Sequence, residues 1–92
     1  MNNTLEKALR FVDDNREEMI NMWEELVNID SGSSYKEGVD AVAEKLREYY
    51  QEIGFNTRLI KFENAGNSLV AETGADRPKK GILFIGHMDT VF

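Results

Sequence analysis

The chain of 92 residues contains no cysteine and only one proline. Without cysteine it has no disulfide framework, no thiolate nucleophile and no thiolate metal ligand. It has no apolar run of the about 18 residues that a membrane span needs, and its first residues, MNNTLEKALRF, lack the basic and apolar regions of a secretory leader. We therefore expect a cytoplasmic protein that does not bind a membrane.

Positive charge is also scarce, because 11 basic residues stand against 17 acidic ones and the net charge is −6. Such a surface repels polyanions, which excludes nucleic acid as an expected partner. The length of 92 residues with 41% hydrophobic residues suits one small domain or a part of a larger one.

Two stretches have apolar residues at steps of three and four, the spacing of one face of a helix. In the first stretch we predict a single long helix with Met19, Met22 and Trp23 in the core, although the residues Asp13–Asn15 could divide it. The second stretch runs from Val39 to Ile53, and Gly54 is suited to end that helix in a left-handed conformation. The segment DSGSSYKEG between them is interpreted as a connector. The apolar positions of the first stretch are Leu5, Leu9, Val12, Met19, Trp23 and Leu26.

From Phe55 onward the apolar pattern changes to a period of two, which predicts strands at about residues 55–62, at Ser68–Thr73 and at Ile82–Ile85. The connectors, including GADRPKKG, are too short for a crossover helix, so consecutive strands should pair antiparallel. The third strand, ILFI, is apolar on both faces and should lie in mid-sheet under helices on both sides. We thus predict an α/β fold with two N-terminal helices followed by three strands of a mixed sheet, as an incomplete part of a larger domain.

The segment GHMDTVF, directly after the third predicted strand, holds the candidate site. In an extended backbone His87 and Asp89 point to the same side, so the carboxylate can fix the imidazole in one tautomer. Gly86 leaves room for a ligand. A histidine and an aspartate two residues apart are common, however, and by themselves they favour a polar turn over a metal site.

Longer stretches of the chain resemble a known family. HMDTVF after an apolar strand resembles the metal-binding motif of the zinc metallopeptidase family that includes glutamate carboxypeptidase, aminoacylase and succinyl-diaminopimelate desuccinylase. The segment ELVNIDSGSSYKEGVDAVAEKLREYYQEIGFNTR is similar to that family's first helix, connector and second helix, and NSLVAETG to its second strand. Within the family, glutamate carboxypeptidase is the nearest likeness.

The resemblance implies roles for two residues. His87 would bind one of two zinc ions, for which other divalent metals could substitute, and Asp89 is the candidate catalytic residue, because it would orient the imidazole ring of that histidine. The family's other ligands and its general base come later in its sequence. Residues 1–92 would then be the N-terminal portion of a catalytic domain, truncated after the first metal-ligand motif and inactive alone.

The activity that the resemblance implies for the complete enzyme is hydrolysis of an amide next to a free carboxylate, in a peptide or an N-acyl amino acid. Peptidase, aminoacylase and deacylase activities all remain open. The contrasting interpretation is a non-enzymatic α/β module that associates through exposed sheet edges and apolar patches, including with copies of itself.

Overall fold

The computed structural model describes residues 3–74 and 81–91, so residues 75–80 of the predicted loop GADRPKKG lie outside the described residues. Within the described parts, three helices precede a two-stranded antiparallel sheet, which confirms the α/β class. None of the described helices has the length and apolar character needed to cross a membrane. The elements are α1 (Asn3–Asp14), α2 (Arg16–Val27), α3 (Lys36–Glu52), β1 (Asn56–Ile60) and β2 (Ser68–Glu72).

The prediction of a single long N-terminal helix is wrong, because α1 and α2 are separated at Asn15. This residue has φ −110° and ψ 15°, and its side-chain amide donates to the carbonyl oxygen of Phe11 at 2.9 Å. Asparagine competes in this way for backbone groups, which explains its low helix propensity. Backbone hydrogen bonds still continue through the junction, from Asn15 to Phe11 and from Met19 to Asn15.

The apolar stripe on α1 and α2 is not buried in this structure, so the prediction that Met19, Met22 and Trp23 lie in the core is also wrong. Neither helix has a buried residue, and Trp23 is 68% exposed. The stripe has the expected helical spacing, but α3 packs on the sheet rather than on it. Helical spacing alone does not supply a packing partner.

The core lies between α3 and the β1–β2 hairpin. Its buried apolar side chains are Val39, Val42 and Ala43, and Val39 packs directly over the backbone of Gly66 in the hairpin turn. As predicted, the strands pair antiparallel, with Leu59 opposite Leu69. Gly54, with φ +91°, ends α3 in the left-handed region as predicted, because glycine has no Cβ to clash there.

A polar cluster at the N-terminal end of α3 holds the hairpin turn. The Lys36 ammonium donates to the carbonyl oxygen of Ala65 and to Asn67 Oδ1, both at 2.9 Å, and pairs with Asp40 at 3.0 Å. Asp40 also accepts a 2.7 Å hydrogen bond from the backbone N–H of Asn67, which is the main reason its pKa is lowered. The turn is therefore fixed to the helix by polar groups as well as by the core.

The third predicted strand is not found among the described residues. Ile82–Ile85 form no strand, and their side chains are between 82% and 88% exposed. A strand that is apolar on both faces needs neighbouring strands and a cover on each side, and the two-stranded sheet provides neither. The described sheet is therefore antiparallel rather than mixed. A more distant pairing occurs instead, a parallel bridge between Thr90 and Gly32.

A carboxylate on α2 links this helix to α3. Glu25 Oε2 accepts a 2.6 Å hydrogen bond from the Tyr49 hydroxyl and pairs with the Lys45 ammonium at 3.0 Å. These two contacts, Tyr49 first, lower the pKa of Glu25 below its ordinary 4.5. Their stabilising effect is therefore fully present above pH 4.5 and is lost as the pH falls through the lower pKa of the folded state.

We expect Glu25→Gln to remove the loss of folding stability that protonation of the Glu25 carboxylate causes at low pH. Thermal unfolding followed by circular dichroism at a series of pH values should show a smaller loss of Tm on acidification in Glu25→Gln than in the parent chain. Glu24→Gln, one position earlier on α2, is the matched control and should keep the parent profile. Identical acid profiles for the parent chain and Glu25→Gln would contradict the assignment.

Candidate functional site

The two predicted site residues are in direct contact. His87 Nδ1 lies 2.9 Å from the backbone oxygen of Asp89 and 3.2 Å from its carboxylate Oδ1. A carbonyl oxygen can only accept, so this contact requires a proton on Nδ1. The lone pair of a neutral ring is then on Nε2, the nitrogen that faces away from Asp89.

The histidine is accessible. The side chain of His87 is 83% exposed and that of Asp89 40% exposed. At Gly86 a Cβ would meet no atom within 4 Å, so the space beside the histidine is open. The arrangement leaves Nε2 free to bind a ligand, while Nδ1 is held by two oxygens of one residue.

The connector before α3 holds the backbone just beyond these residues. The N–H of Thr90 donates to the carbonyl oxygen of Ser31 at 2.8 Å, and the N–H of Ser33 donates to the carbonyl oxygen of Thr90 at 3.0 Å. Sequence reasoning treated this segment only as a connector and missed the contact. No local pattern signals it, because the partners lie more than fifty positions apart in the chain.

The side chain of Ser33 reaches the same place. Its hydroxyl donates to the carbonyl oxygen of Thr90 at 3.3 Å, and the side chain also lies near the carboxylate of Asp89. The hydrogen bond from Ser33 is the largest cause of a lowered pKa at Asp89, ahead of the contact with His87, so this carboxylate is ionised at neutral pH.

The described residues do not form a complete metal site. No three histidine, cysteine, aspartate or glutamate side chains among them come together in a way that could hold a metal ion. Catalytic zinc normally takes about three protein ligands and a water molecule. His87 has the donor atom and the exposure of one such ligand, and the position of Asp89 against Nδ1 suits a residue that orients the ring. The assignment of His87 to a metal stays a prediction.

Comparison with known proteins finds similarity to bacterial deacetylases. Over 76 residues, or 78% of the chain, it is 29% identical to an acetylornithine deacetylase of Vibrio atlanticus and 30% identical to those of Vibrio parahaemolyticus and Vibrio campbellii. The chain spans 20% of the length of each of these relatives. No protein-family model matches the chain, and no solved structure matches it significantly.

Proposed function

We propose that the chain is the N-terminal portion of the catalytic domain of a di-zinc enzyme that hydrolyses amide bonds next to a free carboxylate. The observation that carries the proposal is the contact of His87 with Asp89, which lies in the motif that resembles the metallopeptidase family. The similarity to acetylornithine deacetylases supports it independently, because removal of an acetyl group from an amine is hydrolysis of an amide.

In this proposal His87 contributes one metal ligand through Nε2. The backbone oxygen and the carboxylate of Asp89 hold the proton on Nδ1, which fixes the plane of the ring and raises the basicity of the nitrogen that binds metal. When bound, the zinc ions supply Lewis-acid polarisation of the substrate carbonyl and of water. The remaining ligands and the general base would belong to further polypeptide, so the 92 residues alone are expected to be inactive.

The names of the relatives favour one of the substrate classes that the family resemblance leaves open. They are acetylornithine deacetylases, so an N-acyl amino acid comes before a peptide as the proposed substrate. Carboxypeptidase and aminoacylase activities are the further alternatives, and glutamate carboxypeptidase in particular stays a likeness of sequence. We propose that the enzyme works in the cytoplasm with zinc or another divalent metal.

Hydrolysis by the complete protein that contains this chain tests the proposal. The purified protein is assayed for release of the free amine from a panel of N-acetyl amino acids and dipeptides. We expect hydrolysis of at least one N-acetyl amino acid, loss of that activity in a chelator, and its return when zinc is added. No hydrolysis of any member of the panel in the presence of zinc, manganese or cobalt would contradict the proposal.

Association between copies of the chain is the second candidate, and the exposure of Ile82–Ile85 favours it. Burial of apolar surface contributes about 25 cal/mol per Å², so a bare apolar segment favours contact with a similar surface. In the larger domain, further polypeptide would cover the same residues. Light scattering coupled to size-exclusion chromatography of the 92-residue chain distinguishes a concentration-dependent dimer from a monomer, and a monomer at all concentrations would exclude this candidate.

A further inference from the structure

The peptide group between Asp89 and Thr90 contacts both the connector and the histidine. The carbonyl of Asp89 and the N–H of Thr90 belong to the same planar unit, and in a trans peptide they point in opposite directions. The carbonyl lies 2.9 Å from His87 Nδ1, and the N–H donates to the carbonyl oxygen of Ser31 at 2.8 Å. Whatever fixes the N–H therefore also fixes the oxygen that receives the histidine proton.

The connector is itself held on α3. The N–H of Tyr35 donates to the carbonyl oxygen of Gly32 at 2.8 Å, and the carbonyl oxygen of Asp30 lies against the backbone of Gly38. Gly38 is buried in α3, and Ser31 is only 3% exposed. The segment Ser31–Ser33 is thus anchored to the core of the protein.

In the segment that carries the histidine, no residue of the described range 81–91 is buried. Ile82–Ile85 and Val91 are all more than 80% exposed, on the two sides of the candidate site. Between them, the bonds of Thr90 to Ser31 and Ser33 tie this part of the chain to the rest of the described structure. The order of His87 thus depends on a contact with a distant part of the sequence.

We propose that Ser31–Ser33 is the positioning element of the histidine site, with Ser33 as its positioning side chain. The carbonyl oxygen of Ser31 holds the N–H of the peptide group between Asp89 and Thr90, and the N–H and hydroxyl of Ser33 hold the next peptide group through the carbonyl oxygen of Thr90. Both actions keep the proton on Nδ1 of His87 and present Nε2 outward. The inference rests on the proposed function for the identity of the ligand, but the positioning itself is measurable without a metal.

The first test uses the 92-residue chain and NMR. We expect the Thr90 amide to exchange with solvent more slowly than that of Met88, and the ring nitrogen shifts of neutral His87 to report the tautomer protonated on Nδ1. Ser33→Ala should speed exchange at Thr90 and increase the population of the other tautomer. Ser34→Ala, at the exposed neighbouring position, is the matched control and should leave both unchanged, and Ser33→Thr keeps the hydroxyl and should restore both.

The second test measures zinc affinity in the complete protein. Loss of an outer partner of a ligating histidine typically weakens metal binding by about 10 to 100-fold, and we expect that range for Ser33→Ala. A tautomer unaffected by Ser33→Ala, or unchanged zinc affinity in this variant of a protein that does bind zinc, would overturn the inference. A Ser33-dependent tautomer in a chain whose complete protein binds no metal would instead refute the proposed function and leave the positioning role standing.

Discussion

Gly38→Ala should destabilise the protein by about 1–3 kcal/mol or more, as overpacking of a tight interior does. The direction is unusual, because alanine in a helix interior is ordinarily more stable than glycine by roughly 0.5–1 kcal/mol. Gly38 lies in the first turns of α3, where it is buried. A Cβ there would fall on the carbonyl oxygen of Asp30 and 2.6 Å from a ring carbon of Tyr35. The backbone of the connector would have to move.

Urea unfolding of the two chains measures this effect, with Gly86→Ala as the matched control. A Cβ at Gly86 meets nothing within 4 Å, so the control should unfold with the parent chain. If Gly38→Ala is too unstable to fold, its circular dichroism spectrum will lack the helical signal that the control retains. A Gly38→Ala chain at least as stable as the parent would mean that the connector does not approach α3 as described.

His87→Ala should remove most of the zinc and nearly all of the hydrolytic activity of the complete protein. The substitution deletes the proposed donor atom Nε2, so the loss should exceed the about 10 to 100-fold typical of changes around a ligand. Metal content by mass spectrometry and turnover of an N-acetyl amino acid are measured on the same samples. Met88→Leu, in the same segment, serves as the control and should keep metal and rate.

Asp89→Asn should have a smaller effect on metal than His87→Ala. The backbone oxygen of Asp89, at 2.9 Å from Nδ1, remains as an acceptor when the carboxylate at 3.2 Å becomes an amide. The variant should therefore keep more zinc than His87→Ala and lose rate because the ring is less firmly oriented.

Full metal content and full rate in His87→Ala would show that His87 is misassigned as a metal ligand.

The elements that could be predicted from the sequence are those whose causes are local. The α3 helix combines an apolar stripe with a glycine in the left-handed region at Gly54, and the β1–β2 hairpin combines period-two segments with a short polar turn. Each cause lies within a few residues of its effect. The break at Asn15 is also local, but it depends on a single hydrogen bond to Phe11 that competes with a strong helical pattern.

Burial could not be predicted in the same way. The stripes on α1 and α2 and the ILFI segment have the composition of interior surfaces, yet in this structure they are exposed. A periodic pattern shows which face of an element is apolar, whereas burial requires a second surface. In this structure α3 and the hairpin pack on each other and supply that surface for one another. For this reason the prediction of a third strand at Ile82–Ile85 is wrong for the described structure, although these four residues are all apolar.

The candidate site shows the same difference between local and distant causes. The contact of His87 with Asp89 follows from their spacing of two residues and could be predicted. The hydrogen bonds of Ser31 and Ser33 to Thr90 join parts of the chain that are far apart in sequence, and no local motif in either part predicts this contact. Serine and glycine in a connector are too common to identify a positioning role.

The metal role of His87 is tested by a crystal structure of the complete protein grown with zinc, with anomalous scattering measured at the zinc absorption edge. We expect an anomalous peak about 2.0–2.1 Å from His87 Nε2, with Nδ1 still directed at Asp89. A hydrolytically active protein in which zinc is bound elsewhere, and His87 carries no metal, would contradict it.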